Sequence, residues 1–188
     1  MRKIISFMHI SLDGFVAGPN GEMNWITVNE EIFDHVGKRI EKTDTALYGR
    51  KTYEMMEHYW PNAGKGPNAS KHDIEHSAWY NKAHKVVLSK TLKSAGNTTV
   101  ISDNLSDSIN KIKQQAGTEI LLFGSPTATH ALMQEGLIDG YWLFVNPIIL
   151  GQGIPLFTGI NEKIKLNLAT TRPFGSGVVE LSYVVDRN

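Results

Sequence analysis

The stretch from Ile4 to Leu12 is mostly apolar and reads as a buried strand. Asp13-Gly14 ends it as a turn, and a glycine-rich loop, Gly18-Pro19-Asn20-Gly21, follows and is closed by Trp25. Thr27 and Glu30 then form a capping-box pair, the threonine oxygen and the glutamate each satisfying an open backbone N–H. Behind them Ile32, Phe33, Val36 and Ile40 recur at helical spacing and predict an amphipathic helix over residues ~28–42.

The same reading continues along the chain. Thr45 to Tyr48 is a short strand broken at Gly49, and Thr52 to Tyr59 is helical. Residues 61–71, rich in Pro and Gly, are the most loop-like stretch, and a short helix follows to about Ala83. Val86 to Leu88 and Thr98 to Ile101 are strands, and Ser106 to Ala116 is a helix carrying Ile109 and Ile112. Glu119 to Phe123 is a strand stopped by Gly124-Ser125-Pro126, and Thr127 to Gln134 is a helix that Gly136 terminates. Tyr141 to Ile149 is a strand in which Pro147 marks an edge or a bulge. Ile164 to Thr170, with Leu166 and Leu168 on one face, and Val178 to Val185 form a terminal antiparallel hairpin around Pro173 and Gly175-Ser176-Gly177.

Alternating strands and helices that end in a hairpin predict an α/β sheet, mostly parallel, of about eight strands. The 188 residues suit one domain spanning the whole chain. Parallel α/β sheets bind ligands at the carboxyl ends of their strands. That directs attention to the loops around Asp13, Gly49, Ser89, Gly124 and Gly151.

Composition narrows the chemistry. Nineteen basic residues balance nineteen acidic ones, so the basic excess of a phosphate-neutralising nucleic-acid binder is missing. Zero cysteines exclude disulfides, a cysteine nucleophile and thiolate metal sites, including those of the zinc base deaminases. The longest apolar runs fall far short of the ~20 residues of a membrane span, and the N-terminus turns polar too early for a signal peptide. A soluble cytoplasmic protein is the expectation.

Several strand ends carry candidate chemistry. Gly49-Arg50-Lys51-Thr52 places a helix N-terminus, whose unpaired N–H groups suit phosphate, beside a bidentate arginine and a lysine. Gly124-Ser125-Pro126-Thr127 repeats the strand, glycine, helix arrangement and could face a pyrophosphate, although no G-x-G-x-x-G is present. Ser89-Lys90 could hold a further phosphate. Gly151-Gln152-Gly153-Ile154, followed by Leu156 and Phe157, permits close backbone approach to a ligand or a second subunit. His72-Asp73-Ile74-Glu75-His76 fits H-x-x-E-H, the inverted zinc-peptidase pattern, against the alternative of a solvated helix.

The order and placement of these signals resemble the dihydrofolate reductase-like superfamily, and within it the reductase domain of bacterial riboflavin biosynthesis and its small stand-alone relatives. The carriers are Ser11-Leu12-Asp13-Gly14-Phe15-Val16-Ala17 through Trp25, Gly49-Arg50-Lys51-Thr52, Val87-Leu88-Ser89-Lys90-Thr91-Leu92, Gly124-Ser125-Pro126, and Asn146 to Gly153 with Leu156-Phe157. The resemblance implies NADPH as cofactor. It implies that Gly49, Arg50, Lys51 and Thr52 bind the adenosine-side phosphates, that Ser89 and Lys90 lie beside the ribose 2′-phosphate, and that Gly124, Ser125, Pro126 and Thr127 form the pyrophosphate turn. Val16 and Ala17 would border the nicotinamide ring, and Gly151, Gly153 and Ile154 would belong to a loop that closes over the cofactor.

For the substrate side the resemblance implies Asp13 and Glu30 as catalytic or substrate-contacting carboxylates, with Trp25 and Phe33 beside them. The helix after Trp25 carries Glu30, Glu31 and Asp34 where riboflavin-type reductases usually carry arginines. An aminouracil phosphate or another aminopyrimidine or pteridine-like molecule is the expected substrate, with dihydrofolate as the alternative. The relatives pair near Tyr141 to Val145, which is apolar on both faces, so a homodimer is expected. Two rivals of other classes are a zinc hydrolase built on His72, Glu75 and His76, and a nucleotide-binding protein without turnover.

Overall fold

The chain runs β1 (Ile4–Ser11), β2 (Phe15–Ala17), α1 (Glu30–Ile40), β3 (Thr45–Gly49), α2 (Arg50–Ala63), α3 (Lys71–Lys82), β4 (His84–Leu88), β5 (Thr98–Ile101), α4 (Leu105–Gln114), β6 (Ile120–Phe123), α5 (Pro126–Gln134), β7 (Gly140–Asn146), β8 (Ile154–Pro155), β9 (Leu166–Pro173) and β10 (Val179–Val185). This is a computed structural model, and it describes residues 1–187. Eight strands form one sheet in the order β5-β4-β3-β6-β1-β7-β10-β9, while β2 and β8 pair separately. β3 and β4, β4 and β5, and β1 and β7 are parallel; β10 is antiparallel to both β7 and β9. The expected mostly parallel sheet with a terminal hairpin is present. The β2/β8 pair was not anticipated, because runs of three and two residues are too short to show a period.

By its contacts the chain divides into two compact units: Met1–Arg2 with Val28–Leu121, and Lys3–Thr27 with the chain from Leu122 onward.

In the first unit every residue of β3 is buried, as a parallel strand covered on both faces requires. α1 turns Ile32, Val36 and Ile40 inward. Its N-cap is Asn29, whose side chain accepts the Ile32 N–H at 3.0 Å, so the Thr27–Glu30 capping box does not form. Glu30 is instead the first helical residue, where its charge favours the positive end of the helix dipole. A capping box does exist on α3, between Ser70 and Asp73.

α2 extends past the expected end at Tyr59 and takes Pro61 into its last turn. Proline lacks the N–H of that turn, and the helix stops two residues later at Ala63. A Cβ at the following Gly64 would lie 3.0 Å from the Ile74 Cα, so the end of α2 docks on α3 without room for a side chain.

In the second unit β7 stops at Asn146, earlier than its apolar pattern predicts. The Asn146 side chain accepts the Thr27 N–H at 2.8 Å and donates to the Ile10 and Phe144 carbonyls, tying the turn before Pro147. Tyr141, Trp142, Leu143 and Phe144 are already buried within the single chain, on β7, whose two edges are paired with β1 and β10. The apolar character of both faces of β7 is therefore explained without a second subunit. β9 is the outer strand, and Leu168 on it is exposed. No helix among the described residues is long and apolar enough to cross a membrane.

Candidate active site

In the first unit Gly49 stands opposite Leu88 in the parallel β3/β4 register, so the loops leaving both carboxyl ends start side by side. α2 begins at once after Gly49, and no side chain caps it. Its first N–H groups have no partner within the helix and carry the positive end of the dipole. Exposed Lys51 and Lys90 add charge at these two tips, and Thr52 is half-buried.

Arg50 is turned along α2, where its Nη1 donates to the Glu54 carboxylate at 3.0 and 3.3 Å. An exposed pair at this spacing is worth only ~0.3–0.5 kcal/mol, so a phosphate can compete for the guanidinium. Ser89 is buried, and its Oγ accepts the N–H groups of Thr91 and Leu92 at 3.2 and 3.1 Å. Its hydroxyl oxygen therefore holds the turn after β4.

α1 of the same unit carries exposed Glu30, and Phe33 one turn on. Phe33 stacks on the His72 imidazole, with ring centroids 4.0 Å apart and planes 12° apart. His76 is buried against Trp60, centroids 4.0 Å apart, and Trp79. Burial pushes the His76 imidazole down to about 3 and lowers His72 as well. Among the described residues no group of three or more His, Asp or Glu side chains is placed to hold a metal ion. The H-x-x-E-H motif is part of the aromatic packing between α1, α2 and α3.

In the second unit Gly124 and Ser125 both adopt left-handed backbone, with φ of 54° and 55°. Gly124 donates its N–H to the Phe7 carbonyl at 3.2 Å. Ser125 is the N-cap of α5 but caps nothing with its side chain, and Pro126 opens the helix with Thr127 exposed behind it. A non-glycine residue in this region costs ~1–2 kcal/mol. Strain of this kind concentrates at ligand-binding turns.

The rest of the second unit's rim is built from two segments far apart in sequence. Asp13 accepts the Ser11 hydroxyl at 2.6 Å, the Leu150 N–H at 3.1 Å and the Gly151 N–H at 2.7 Å. The Ser11 hydroxyl first, then the Gly151 and Leu150 N–H groups, hold its carboxyl below the usual aspartate value. Buried Val16 and Ala17 belong to β2, where Phe15 pairs with Pro155 and Ala17 with Ile154. A Cβ on Gly153 would collide with the Ala17 carbonyl, so only glycine lets β8 approach β2 this closely. Trp25 is half-buried in the same unit and donates from its indole to the Glu22 carbonyl at 3.0 Å.

His9, on β1, was missed by sequence reasoning. Its ring stacks on Phe144 with centroids 5.0 Å apart, and its buried Nδ1 has no hydrogen-bond partner among the described residues. Burial pushes its pKa down to about 4. The available signal was one titratable side chain inside an otherwise apolar strand.

The structure thus joins the Gly49 and Ser89 tips in one unit, and Asp13, Val16 and Ala17 with Gly151 to Ile154 in the other. A family model for the RibD C-terminal domain matches residues 2–180. Uncharacterized protein YyaP of Bacillus subtilis (strain 168) is 33% identical over 185 residues, covering 97% of this chain and 94% of that one. A putative riboflavin biosynthesis protein from Shewanella sp. PV-4 superposes with a TM-score of 0.74 at 21% identity, over 98% of this chain and 99% of that one. A Thermotoga maritima diaminohydroxyphosphoribosylaminopyrimidine deaminase/5-amino-6-(5-phosphoribosylamino)uracil reductase superposes with a TM-score of 0.68 at 13% identity, over 98% of this chain and 57% of that longer one. The architecture is the dihydrofolate reductase-like one, and by the match along nearly its whole length the chain belongs to the RibD C-terminal domain family.

Proposed function

We propose that the chain is an NADPH-dependent reductase of the riboflavin-biosynthesis type, acting on a small aminopyrimidine or pteridine-like molecule. The observation that carries this reading is the uncapped N-terminus of α2 beside the Ser89-Lys90 tip, with Arg50, Lys51 and Lys90 at the two tips. Open helix N–H groups flanked by three cations fit the phosphates of such a cofactor better than an uncharged ligand. Ser125, strained at the head of α5, fits a turn that wraps a pyrophosphate.

A bound nicotinamide supplies the hydride, and the protein supplies position and electrostatics. Val16 and Ala17 on β2, with Gly153 and Ile154 packed against them, would border the ring, and Gly151 leaves its own side uncovered. Asp13 is held ionised by its hydrogen bonds, so the proton for the reduced heteroatom comes from water or another group.

Glu30 supports the choice of substrate class. Because Asn29 takes over the capping of α1, the Glu30 carboxylate is not spent on a capping box and is exposed. A free carboxylate can accept two N–H groups from an amino-pyrimidine edge. The same feature favours dihydrofolate as the second reading, because that pterin offers the same edge.

A screen of NADPH oxidation against the aminouracil phosphate, dihydrofolate and simple carbonyl compounds tests the proposal. Turnover with an aminopyrimidine or pterin is expected, together with quenching of tryptophan fluorescence by NADPH at micromolar concentration. Absence of NADPH binding overturns it.

A further inference from the structure

Asp13 lies where a substrate-contacting carboxylate was expected, yet its hydrogen bonds point back into the protein. Both oxygens are engaged: Oδ1 takes the Ser11 hydroxyl and the Leu150 N–H, and Oδ2 takes the Gly151 N–H. Two successive amides of the segment after β7 are thereby held on the turn after β1. Ser11 also accepts the Phe15 N–H at 2.9 Å, so the residue that orients Asp13 fixes the entry to β2 as well.

Further bonds lace the same two segments together. Leu12 donates to the Ile148 carbonyl at 2.8 Å, and Leu156 donates to the Gly14 carbonyl at 2.9 Å. Between those two points β8 lies on β2. Gln152 and Gly153 are the only residues of the strap between the Asp13 contacts and the β2/β8 ladder. A charge-assisted hydrogen bond is stronger than a neutral one in the same setting, and the Asp13 pair is the side-chain fastening of this strap beside its backbone bonds.

From this geometry we infer that Asp13 is a positioning residue: its carboxylate latches the Leu150–Gly151 backbone and so sets the spacing between Gly153-Ile154 and Val16-Ala17. The inference rests on the proposed reductase reading for its functional part, because in that reading these two paired segments together border the nicotinamide ring. The latch holds the strap in place before any ligand binds. Binding then forfeits little ordering entropy, as preorganised sites do. Removing the carboxylate weakens cofactor binding while leaving the chemical step intact once the cofactor is bound.

Two measurements on the full chain keep the parts separate. Amide hydrogen exchange at Leu150 and Gly151, without cofactor, reads the latch itself. At least tenfold faster exchange is expected in Asp13→Ala, and unchanged exchange at both amides overturns the latch whatever the protein binds. NADPH titration reads the functional part. The dissociation constant should rise about tenfold in Asp13→Ala and less in Asp13→Asn, which keeps one acceptor oxygen. In turnover, KM for NADPH should rise while kcat at saturating cofactor stays within about twofold. A fall in kcat with unchanged NADPH affinity would instead make Asp13 a substrate-contacting group and overturn the inference. Failure of the unsubstituted protein to bind NADPH counts against the reductase reading, and the exchange result then judges the latch alone.

Discussion

The indole of Trp142 donates a 2.6 Å hydrogen bond to the Glu180 carboxylate, both side chains being buried between β7 and its antiparallel neighbour β10. A hydrogen bond to a charged group contributes ~1.5–3 kcal/mol, and Trp142→Phe also removes part of a buried ring. Trp142→Phe is therefore expected to lower stability by at least ~2 kcal/mol, and Glu180→Gln by less, because the amide oxygen still accepts. Urea unfolding of the two variants checks the ranking. Equal losses would show that the charge on Glu180 matters as much as the whole indole contact.

His76 predicts an acid-sensitive first unit. Its folded-state pKa is about 3 because of burial, against 6.5 in the unfolded chain. Below pH 6.5 the unfolded chain takes up a proton that the folded protein refuses, so stability falls as pH drops from 6.5 toward 3. At ~1.4 kcal/mol per pH unit the loss reaches about 2 kcal/mol by pH 5. His76→Phe, which keeps an aromatic ring against Trp60, should flatten that part of the curve of melting temperature against pH. A profile unchanged by the substitution would remove His76 as its cause.

Arg50 and Glu54 set up a competition on α2. Arg50→Ala should weaken NADPH binding more than NADH binding, because the guanidinium would serve the additional phosphate. Glu54→Gln releases Arg50 from its partner and should tighten NADPH binding by a factor of about two, in line with the small worth of an exposed pair. Fluorescence titration with both cofactors separates the outcomes. Equal losses for NADPH and NADH in Arg50→Ala would contradict the assigned role.

Two backbone positions in the second unit should respond in opposite directions. Ser125→Gly relieves a left-handed serine and should stabilise the fold by ~1 kcal/mol. Gly153→Ala forces a methyl group into the Ala17 carbonyl and should destabilise it by ~1–3 kcal/mol. Thermal melts of the two variants test the signs. A stabilised Gly153→Ala would mean that the β2/β8 contact is not tight.

Much of this architecture was legible because buried parallel strands announce themselves. Residues 86–88 and 120–123 are short apolar runs, and they became part of β4 and β6. What escaped depends on distant partners. The Thr27 N–H is occupied by Asn146, which leaves Thr27 in the preceding loop and passes the cap to Asn29. No local pattern shows such a bond. Pro61 was placed at the start of a loop, yet the docking of Gly64 on α3 makes helix the better path to that point.

The site divides in the same way. Gly49 and Gly124 were visible as glycines between a strand and a helix. The carboxylate of Asp13 was visible as a group at a strand end, but its partners Leu150 and Gly151 lie far along the chain, so its role was not. Ser89 looked like a ligand contact and holds its own turn. His9 carried no motif at all.

The order of strands also bears on how the protein is made. β1 is flanked by β6 and β7, and neither begins before Ile120. β1 therefore has no neighbour in the sheet until synthesis has reached Ile120. Until then its eight residues are an unpaired ribbon, open to chaperones and to premature association. The Asp13 rim, which needs Leu150 and Gly151, can only form later still.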